Sequence, residues 1–183
     1  LPAAAPKQVR KEGNRFTLAL IFEKSALPIS ITGAFLAFAY SSILSFVSLY
    51  AAEIGLESIA GLFFVVFAVM VILSRPFVGK WFDLYGENRI VYPALVIFLA
   101  GLVILSFTGN GLVYLIAGGI IGLGYGAVIP SFQTISIQSA SPQKRGMATA
   151  TYFIFFDSGI GIGAFLNGII SAEWGYEAMY WIA

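Results

Sequence analysis

The chain contains 183 residues, of which 59% are hydrophobic and only 10% are charged, whereas a soluble globular domain carries about 25% charged residues. This balance excludes an ordinary soluble domain, because ten basic and nine acidic side chains cannot cover a polar surface of that size. The chain has no histidine and no cysteine, which excludes disulfides, thiol nucleophiles and the usual zinc ligands. Its net charge of +1 gives no basic field that would attract nucleic acid.

Residues 1–28 are predicted to form a cytoplasmic linker. Residues 1–13 are rich in proline and alanine and carry basic side chains. They lack the apolar stretch behind basic residues that a secretory signal peptide would have, so none is predicted. Between Asn14 and Lys24, apolar side chains are bounded by charged ones, a pattern typical of a short helix lying in the membrane interface. A simple amphipathic lead-in without a function of its own is the alternative for this segment.

The rest of the chain is predicted to cross a membrane five times and to begin a sixth crossing. About 20 apolar residues span the roughly 30 Å of hydrocarbon in a bilayer, and lipid offers the backbone no hydrogen-bond partners, so each span must be helical. Five runs of this length occur, at 29–52, 58–78, 90–108, 112–137 and 147–171. A sixth run starts at Tyr176 and comprises about two helical turns. The predicted fold class is therefore an all-α membrane protein.

The charges divide between two ends of this arrangement. Every basic residue precedes the first span or lies around the second or fourth connection: Lys7, Arg10, Lys11, Arg15, Lys24, Arg75, Lys80, Arg89, Lys144 and Arg145. The other connections contain no basic residue, and two of them contain glutamates. Because cytoplasmic loops carry an excess of lysine and arginine, we expect the N-terminus and the basic connections to be cytoplasmic. A multi-pass protein of the plasma membrane is predicted.

The second connection carries a glycine and aspartate motif. Gly79, Asp83 and Gly86 follow one another at spacings of four and three residues, and Arg75 and Arg89 flank them. The glycines permit positive φ angles and close approach, while an aspartate here can cap a helix or pair with a basic side chain. This loop resembles the signature loop of the major facilitator superfamily, in which Gly-x-x-x-Asp-x-x-Gly and basic residues join the second and third helices of a six-helix half.

The resemblance implies that the chain is half of a major facilitator superfamily bundle, similar to those of proton-coupled drug or small-molecule exporters. Leu84, Glu87 and Asn88 stand where the strongest copies of the loop carry basic residues, and the fourth span lacks the arginine that is usual in the first half. Both departures favour the C-terminal half, with an N-terminal half as its partner. The resemblance also implies a conformational role for the loop motif and calls for neither a cofactor nor a metal ion.

Asp157 is the one ionisable acid or base that lies well inside a predicted span. It follows Met147 by ten residues, which is about 15 Å along a helix, and it therefore lies near the middle of the bilayer. A charged aspartate at this depth costs about 2.5 kcal/mol or more on insertion, and acids in spans are generally functional. Asp157 is our candidate for proton coupling. A structural acid paired with a polar group on another helix is the alternative.

Several side chains on the first, fourth and fifth spans are candidates for lining a transport cavity: Tyr40, Ser41, Ser45, Tyr125, Gln133 and Tyr152. The serines recur at helical spacing and would equally suit a face of small residues packed against another helix. The glycines of the fourth and fifth spans favour close helix packing and bendable helices over a ligand site. The third span has the fewest polar side chains and is predicted to face lipid.

The predicted function is transport of a small molecule by alternating access, as the C-terminal half of a proton-coupled exporter or antiporter. A proton-coupled uptake symporter is an alternative, because no feature of the sequence encodes direction. A membrane assembly module without transport of its own is an alternative from another class. A membrane-embedded enzyme is disfavoured, because a single acid within the spans supplies neither an acid/base pair nor a metal cluster. The predicted partners are the lipid bilayer, the N-terminal half, the small-molecule substrate and protons.

Overall fold

The computed structural model describes residues 22–183, with the exception of the Asp83 side chain. Most of the predicted interfacial helix therefore lies outside the described residues. Within residues 22–183 the structure contains no strand, and its five long helices are α1 (Leu27–Glu53), α2 (Ala60–Tyr85), α3 (Asn88–Ser106), α4 (Gly111–Gln138) and α5 (Arg145–Ile182). Each is long and apolar enough to cross a membrane. The prediction of an all-α membrane fold with five complete spans is confirmed.

The helices begin and end at residues whose local chemistry favours a boundary. Pro28 lies in the first turn of α1, where its missing N–H group is not needed for the helix. Asn110 caps α4, because its side-chain oxygen accepts a 3.0 Å hydrogen bond from the Val113 N–H group. Gly86 ends α2 with φ of 80° and ψ of 166°, a conformation that is essentially confined to glycine.

The last part of α5 is the start of the predicted sixth span. Gly175 interrupts the helix with φ of 82° and ψ of 168°, so residues 176–182 form a separate segment, which we call the terminal segment. Gly86 and Gly175 thus share one backbone conformation, the first at the end of α2 and the second at the kink within α5. The terminal segment packs back on α1, where the Tyr180 ring lies 5.5 Å from the Tyr50 ring.

Equivalent helix contacts occur twice in the chain, in inverted order. The Phe63 ring of α2 lies over Gly118 of α4, and the Tyr152 ring of α5 lies over Gly33 of α1. In both pairs a ring carbon is 2.8 Å from the place where a Cβ on the glycine would be. The three helices α1 to α3 therefore match α4, α5 and the terminal segment as an inverted repeat, which is common in transporters. This repeat is not evident from the sequence.

Glycines allow the helices to approach one another at backbone distance. A Cβ on Gly122 would lie 3.0 Å from Phe67 Cα of α2, and a Cβ on Gly124 would lie 2.6 Å from the Phe98 nitrogen of α3. Real Cβ atoms essentially never lie within 3.0 Å of another heavy atom, and a Cβ on Gly122 would be closer than that to the Phe67 carbonyl oxygen. α4 consequently packs closely against both α2 and α3, while α5 packs mainly against α1.

The contact between α5 and α1 can be tested with two glycines of α5 that differ in their surroundings. A Cβ on Gly159 would lie 2.9 Å from Ala34 Cα, whereas a Cβ on Gly161 would have nothing within 4 Å. We expect Gly159→Ala to lower stability by about 1–3 kcal/mol, because the two helices must separate. Gly161→Ala is the matched control and should be neutral or slightly stabilising, since alanine favours helices. Thermal unfolding in detergent measures both, and equal melting temperatures for the two variants would contradict the packing described here.

Candidate functional site

Four aromatic rings from four helices meet near the middle of the bundle. The Tyr40 ring of α1 and the Tyr125 ring of α4 stack with their centroids 4.1 Å apart and their planes inclined by 24°. Phe67 of α2 lies 6.1 Å from Tyr40, and Phe98 of α3 lies 6.4 Å from Tyr125. Both tyrosines are only partly buried. We call these four residues the aromatic cluster. Its two tyrosines offer ring and hydroxyl groups to a ligand, whereas Phe98 is buried behind them.

The glycines on either side of Tyr125 determine where its ring lies. Gly124 contacts α3, and Gly126 contacts α2, where a Cβ would lie 2.8 Å from Val71 Cα. With those two sides of α4 occupied by neighbouring helices, the Tyr125 side chain extends toward α1 and stacks on Tyr40.

Tyr152 of α5 is a further candidate and is buried. Its ring stacks on Phe156 at a centroid distance of 5.9 Å and lies over Gly33 of α1. The Tyr152 hydroxyl has no hydrogen-bond partner within residues 22–183. A buried hydroxyl without a partner costs about 1–3 kcal/mol. A polar group of a ligand that reached this hydroxyl would therefore be bound favourably.

The two candidate serines of α1 differ in their surroundings. Ser41 is fully buried, and its hydroxyl donates a 2.6 Å hydrogen bond to the Phe38 carbonyl. It also accepts a 3.1 Å hydrogen bond from Asn167 Nδ2 of α5. Ser41 thus lies in the contact between α1 and α5, whereas Ser45 is exposed.

Asn167 itself is a polar residue of the bundle that was not singled out in the sequence. It is fully buried in α5, and its Nδ2 also donates a 3.3 Å hydrogen bond to the Phe38 carbonyl. Asn167 follows Gly159 and Gly163 at steps of four residues, so the three lie on one helix face. This spacing after two glycines is the signal in the sequence that could have identified it.

Asp157 lies on the side of α5 that is turned away from α1. Gly159 and Phe156 are buried, while Asp157 and the neighbouring Ser158 are exposed. The Ser158 hydroxyl is bonded within the helix, to the Ile154 carbonyl at 2.7 Å, and Asp157 forms no ion pair with another described residue. Acids within spans face protein or water rather than lipid. This face of α5 therefore requires a protein or aqueous neighbour.

Two groups of candidate residues, predicted separately, share a crevice between α2 and α4. The crevice has a volume of about 410 Å³, and Arg75 and Gly79 of the loop motif line it together with Gln133 and Thr134 of α4. Gln133 is thus two turns of α4 away from Tyr125 and does not belong to the aromatic cluster.

The remaining members of the loop motif lie apart from this crevice. Gly86 forms the sharp turn after α2, and Arg89 lines a different crevice, between α2, α3 and α4. The position of the Asp83 side chain lies outside what the structure describes, so its predicted contact with a helix end or an arginine stays a prediction.

A network of polar contacts joins the start of α1 to the start of α5. Glu23 Oε2 forms an ion pair with Lys144 Nζ at 3.2 Å, and Glu23 Oε1 accepts a 3.0 Å hydrogen bond from Ser25 Oγ. The Glu23 N–H group donates a 2.9 Å hydrogen bond to Thr151 Oγ1 of α5. We call Glu23, Ser25, Lys144 and Thr151 the polar clasp. From the sequence alone, Glu23 is interpreted only as a charge of the interfacial segment and Lys144 only as a basic residue that sets the topology.

The clasp affects the protonation of Glu23. The hydrogen bond from Ser25 lowers the pKa of the Glu23 carboxyl below its ordinary value of 4.5. Burial opposes this shift in pKa, and the hydrogen bond from Lys144 adds to it. Glu23 is therefore ionised at neutral pH, which preserves its attraction to Lys144.

No group of three side chains suited to holding a metal ion occurs within residues 22–183.

The comparison with protein families shows that residues 4–183 match the family described as the Major Facilitator Superfamily. The chain belongs to this superfamily. The resemblance seen in the second connection is thereby confirmed over nearly the whole chain, and the prediction that the protein is not an enzyme agrees with membership of a transporter family.

Several relatives are described as multidrug resistance protein MdtG. The protein of Erwinia billingiae (strain Eb661) is 29% identical over 159 residues, which are 84% of this chain and 39% of the relative. The protein of Citrobacter koseri is 28% identical over 162 residues, 86% of this chain and 40% of the relative. The protein of Escherichia coli (strain K12 / DH10B) has the same identity and coverage. The chain spans about two fifths of the length of these superfamily members.

The polar clasp predicts a small, pH-dependent contribution of Lys144 to stability. Lys144→Met should lower the melting temperature at neutral pH, because Glu23 loses its ion-pair partner, while Arg145→Met, which changes a neighbouring exposed base, should not. A carboxylate with a lowered pKa stabilises the fold above its unfolded-state pKa, and this contribution is lost as the pH falls through the folded-state pKa. The difference between wild type and Lys144→Met should therefore persist from pH 7 to about pH 5 and disappear below the ordinary value of 4.5. A difference that grew on acidification would argue against the clasp.

Proposed function

We propose that the protein is a transporter that moves a small molecule across the membrane by alternating access, and that this chain is its C-terminal half. The observation that carries the proposal is the aromatic cluster, where partly accessible Tyr40 and Tyr125 join two helices at mid-span depth. Membership of the Major Facilitator Superfamily supports alternating access. The names of the MdtG relatives support efflux of drug-like molecules over uptake.

The partner in this proposal is an N-terminal half that covers the exposed faces of α2 and α5. These two helices are the least buried of the five within the described residues. The α5 face includes Asp157, whose carboxylate is unsuited to lipid. An N-terminal half that lined this face would supply both a polar neighbour for Asp157 and the second wall of a central cavity. The assembly-module alternative offers no role for the partly accessible tyrosines.

Proton coupling is assigned in this proposal to Asp157. Acidic side chains within spans serve as proton carriers in pumps and transporters. In an exporter, the neighbours of Asp157 would change as the two halves rock between inward-open and outward-open states. The substrate would meet the ring faces of the aromatic cluster and the Tyr152 hydroxyl.

The proposed orientation places the N-terminus and the basic connections in the cytoplasm, with the protein in the plasma membrane. Gly109 and Gln143 are exposed and lie in connections at opposite ends of the bundle, and the chain has no native cysteine. In a cysteine-free transporter, we expect Gly109→Cys to react with an impermeant maleimide in intact cells. Gln143→Cys should react only after the membrane is opened. Labelling of Gln143→Cys in intact cells would reverse the orientation.

Transport and coupling are tested together in vesicles that contain the complete transporter. An imposed pH gradient should accelerate movement of a fluorescent lipophilic dye in the wild type, in the direction of efflux. Asp157→Asn removes the titratable group while nearly preserving its shape, so it should abolish the acceleration and leave dye binding in place. Ser158→Ala is the matched control, because this neighbouring hydroxyl is exposed and bonded only within its own helix.

The outcomes separate the two parts of the proposal. Absence of dye movement with or without a gradient in the wild type would refute transport of this substrate class. A full gradient response in folded Asp157→Asn would refute the coupling role and leave the residue in helix packing. Movement in the opposite direction would favour the uptake symporter.

A further inference from the structure

A second crevice, with a volume of about 360 Å³, opens between α2, α3 and α4. Its walls are largely apolar and include Leu73 and Phe77 of α2 and Ile97 of α3. Trp81 and Arg89 lie at the end nearest the connection between α2 and α3. The crevice contains no residue of the aromatic cluster and shares only Val78 with the crevice that contains Arg75.

The crevice arises because α2 and α3 both pack on α4 and contact each other little. Gly126 brings α2 to one side of α4, and Gly124 brings α3 to the adjacent side. Ala127 of α4 forms the floor of the crevice and contributes only a methyl group. Pro93 of α3 lines one wall. The backbone positions that hold the three helices together thus leave an elongated apolar space between α2 and α3.

The mouth of the crevice is rimmed by large apolar side chains. Leu73, Phe77 and Trp81 follow at steps of four along α2 and are 54%, 57% and 48% exposed. The Phe77 and Trp81 rings are 5.9 Å apart and form a continuous surface. Such a ridge is unfavourable in water but suits contact with lipid chains, and tryptophan is typical of the depth at which chains meet headgroups.

A cationic side chain, that of Arg89, lies at the polar end of the crevice. Among the described charged side chains of the connection between α2 and α3, Arg89 is the one that lines the crevice. A guanidinium group presents a planar set of donors that matches a phosphate group. An apolar channel that ends at an arginine, at the membrane surface, has the chemistry of a phospholipid: chains along the wall and phosphate at the end.

We propose that this crevice binds an anionic phospholipid of the leaflet at the basic end of the bundle. One acyl chain lies between α2 and α3 on the Ala127 floor, and the headgroup phosphate contacts Arg89. The bound lipid fills the space that the glycine contacts of α4 leave open, and it holds the connection between α2 and α3 in place.

The test uses the complete transporter with Trp81 as its only tryptophan, in phosphatidylcholine bilayers. Phosphatidylglycerol or phosphatidylcholine brominated on the acyl chains is added at equal mole fraction, and quenching of Trp81 reports which lipid occupies the crevice. We expect brominated phosphatidylglycerol to occupy the site about five times more favourably, the preference that one arginine near an anionic headgroup confers. Arg89→Gln should abolish this preference. Lys80→Gln, which removes an exposed base that does not line the crevice, should retain it.

A second pair of variants tests the crevice itself. Ala127→Ile fills the floor and should reduce quenching by both lipids, whereas Ala100→Ile adds the same side chain to an exposed position of α3 and should not. Equal quenching by the two lipids in the wild type, or an unchanged preference in Arg89→Gln, would overturn the headgroup assignment. Weak quenching by both lipids in the wild type would mean that another part of the protein covers the crevice and would overturn the proposal. Melting temperatures confirm that each variant is folded.

Discussion

Backbone contact between helices, at positions where glycine has no Cβ, is the constraint on which this structure depends. Lipid is as apolar as a leucine side chain, so burial from lipid gives helices little reason to associate, and packing and hydrogen bonds must hold them together. Gly122 and Gly126 bring α4 against α2, Gly124 brings it against α3, and Gly159 brings α5 against α1. The same positions decide where the side chains between them can extend. The stacking of Tyr125 on Tyr40 and the apolar space above Ala127 are both results of this packing.

The sequence was sufficient to predict the number and order of the spans, because length and apolar composition decide whether a helix crosses a bilayer. It also indicated a sixth apolar run from Tyr176, and the structure interrupts the helix at the preceding residue, Gly175, which that prediction did not use. The family could be recognised from the spacing of Gly79, Asp83 and Gly86, because a sequence motif is a local property. In the structure only Gly86 makes the expected turn with positive φ, whereas Gly79 lies within α2. Features that lie within one connection or one helix are therefore predictable from a single chain.

Contacts between distant helices were not predictable in the same way. The sequence indicated that the glycines of α4 serve close packing, but not that adjacent ones contact different helices. Tyr125 and Gln133 were grouped because they share one helix, yet two turns separate the aromatic cluster from the crevice near Arg75. The pair of Glu23 and Lys144 joins residues 121 positions apart by an ion pair, and no local pattern links them. Such pairings follow from the fold as a whole.

The two groups of helices, α1 with α5 and α2 with α3 and α4, meet along a seam with few contacts. Tyr114 of α4 donates a 3.1 Å hydrogen bond to the Val47 carbonyl of α1, and Ser136 of α4 donates one of 3.1 Å to the Ala148 carbonyl of α5. Between these two bonds the seam is crossed by the stacked rings of Tyr40 and Tyr125. A molecule inserted between those rings would act as a wedge, because it would push apart two groups of helices that are each held firmly within themselves. The aromatic cluster therefore lies at the contact between two separately packed groups of helices, where a bound molecule would change their relative position.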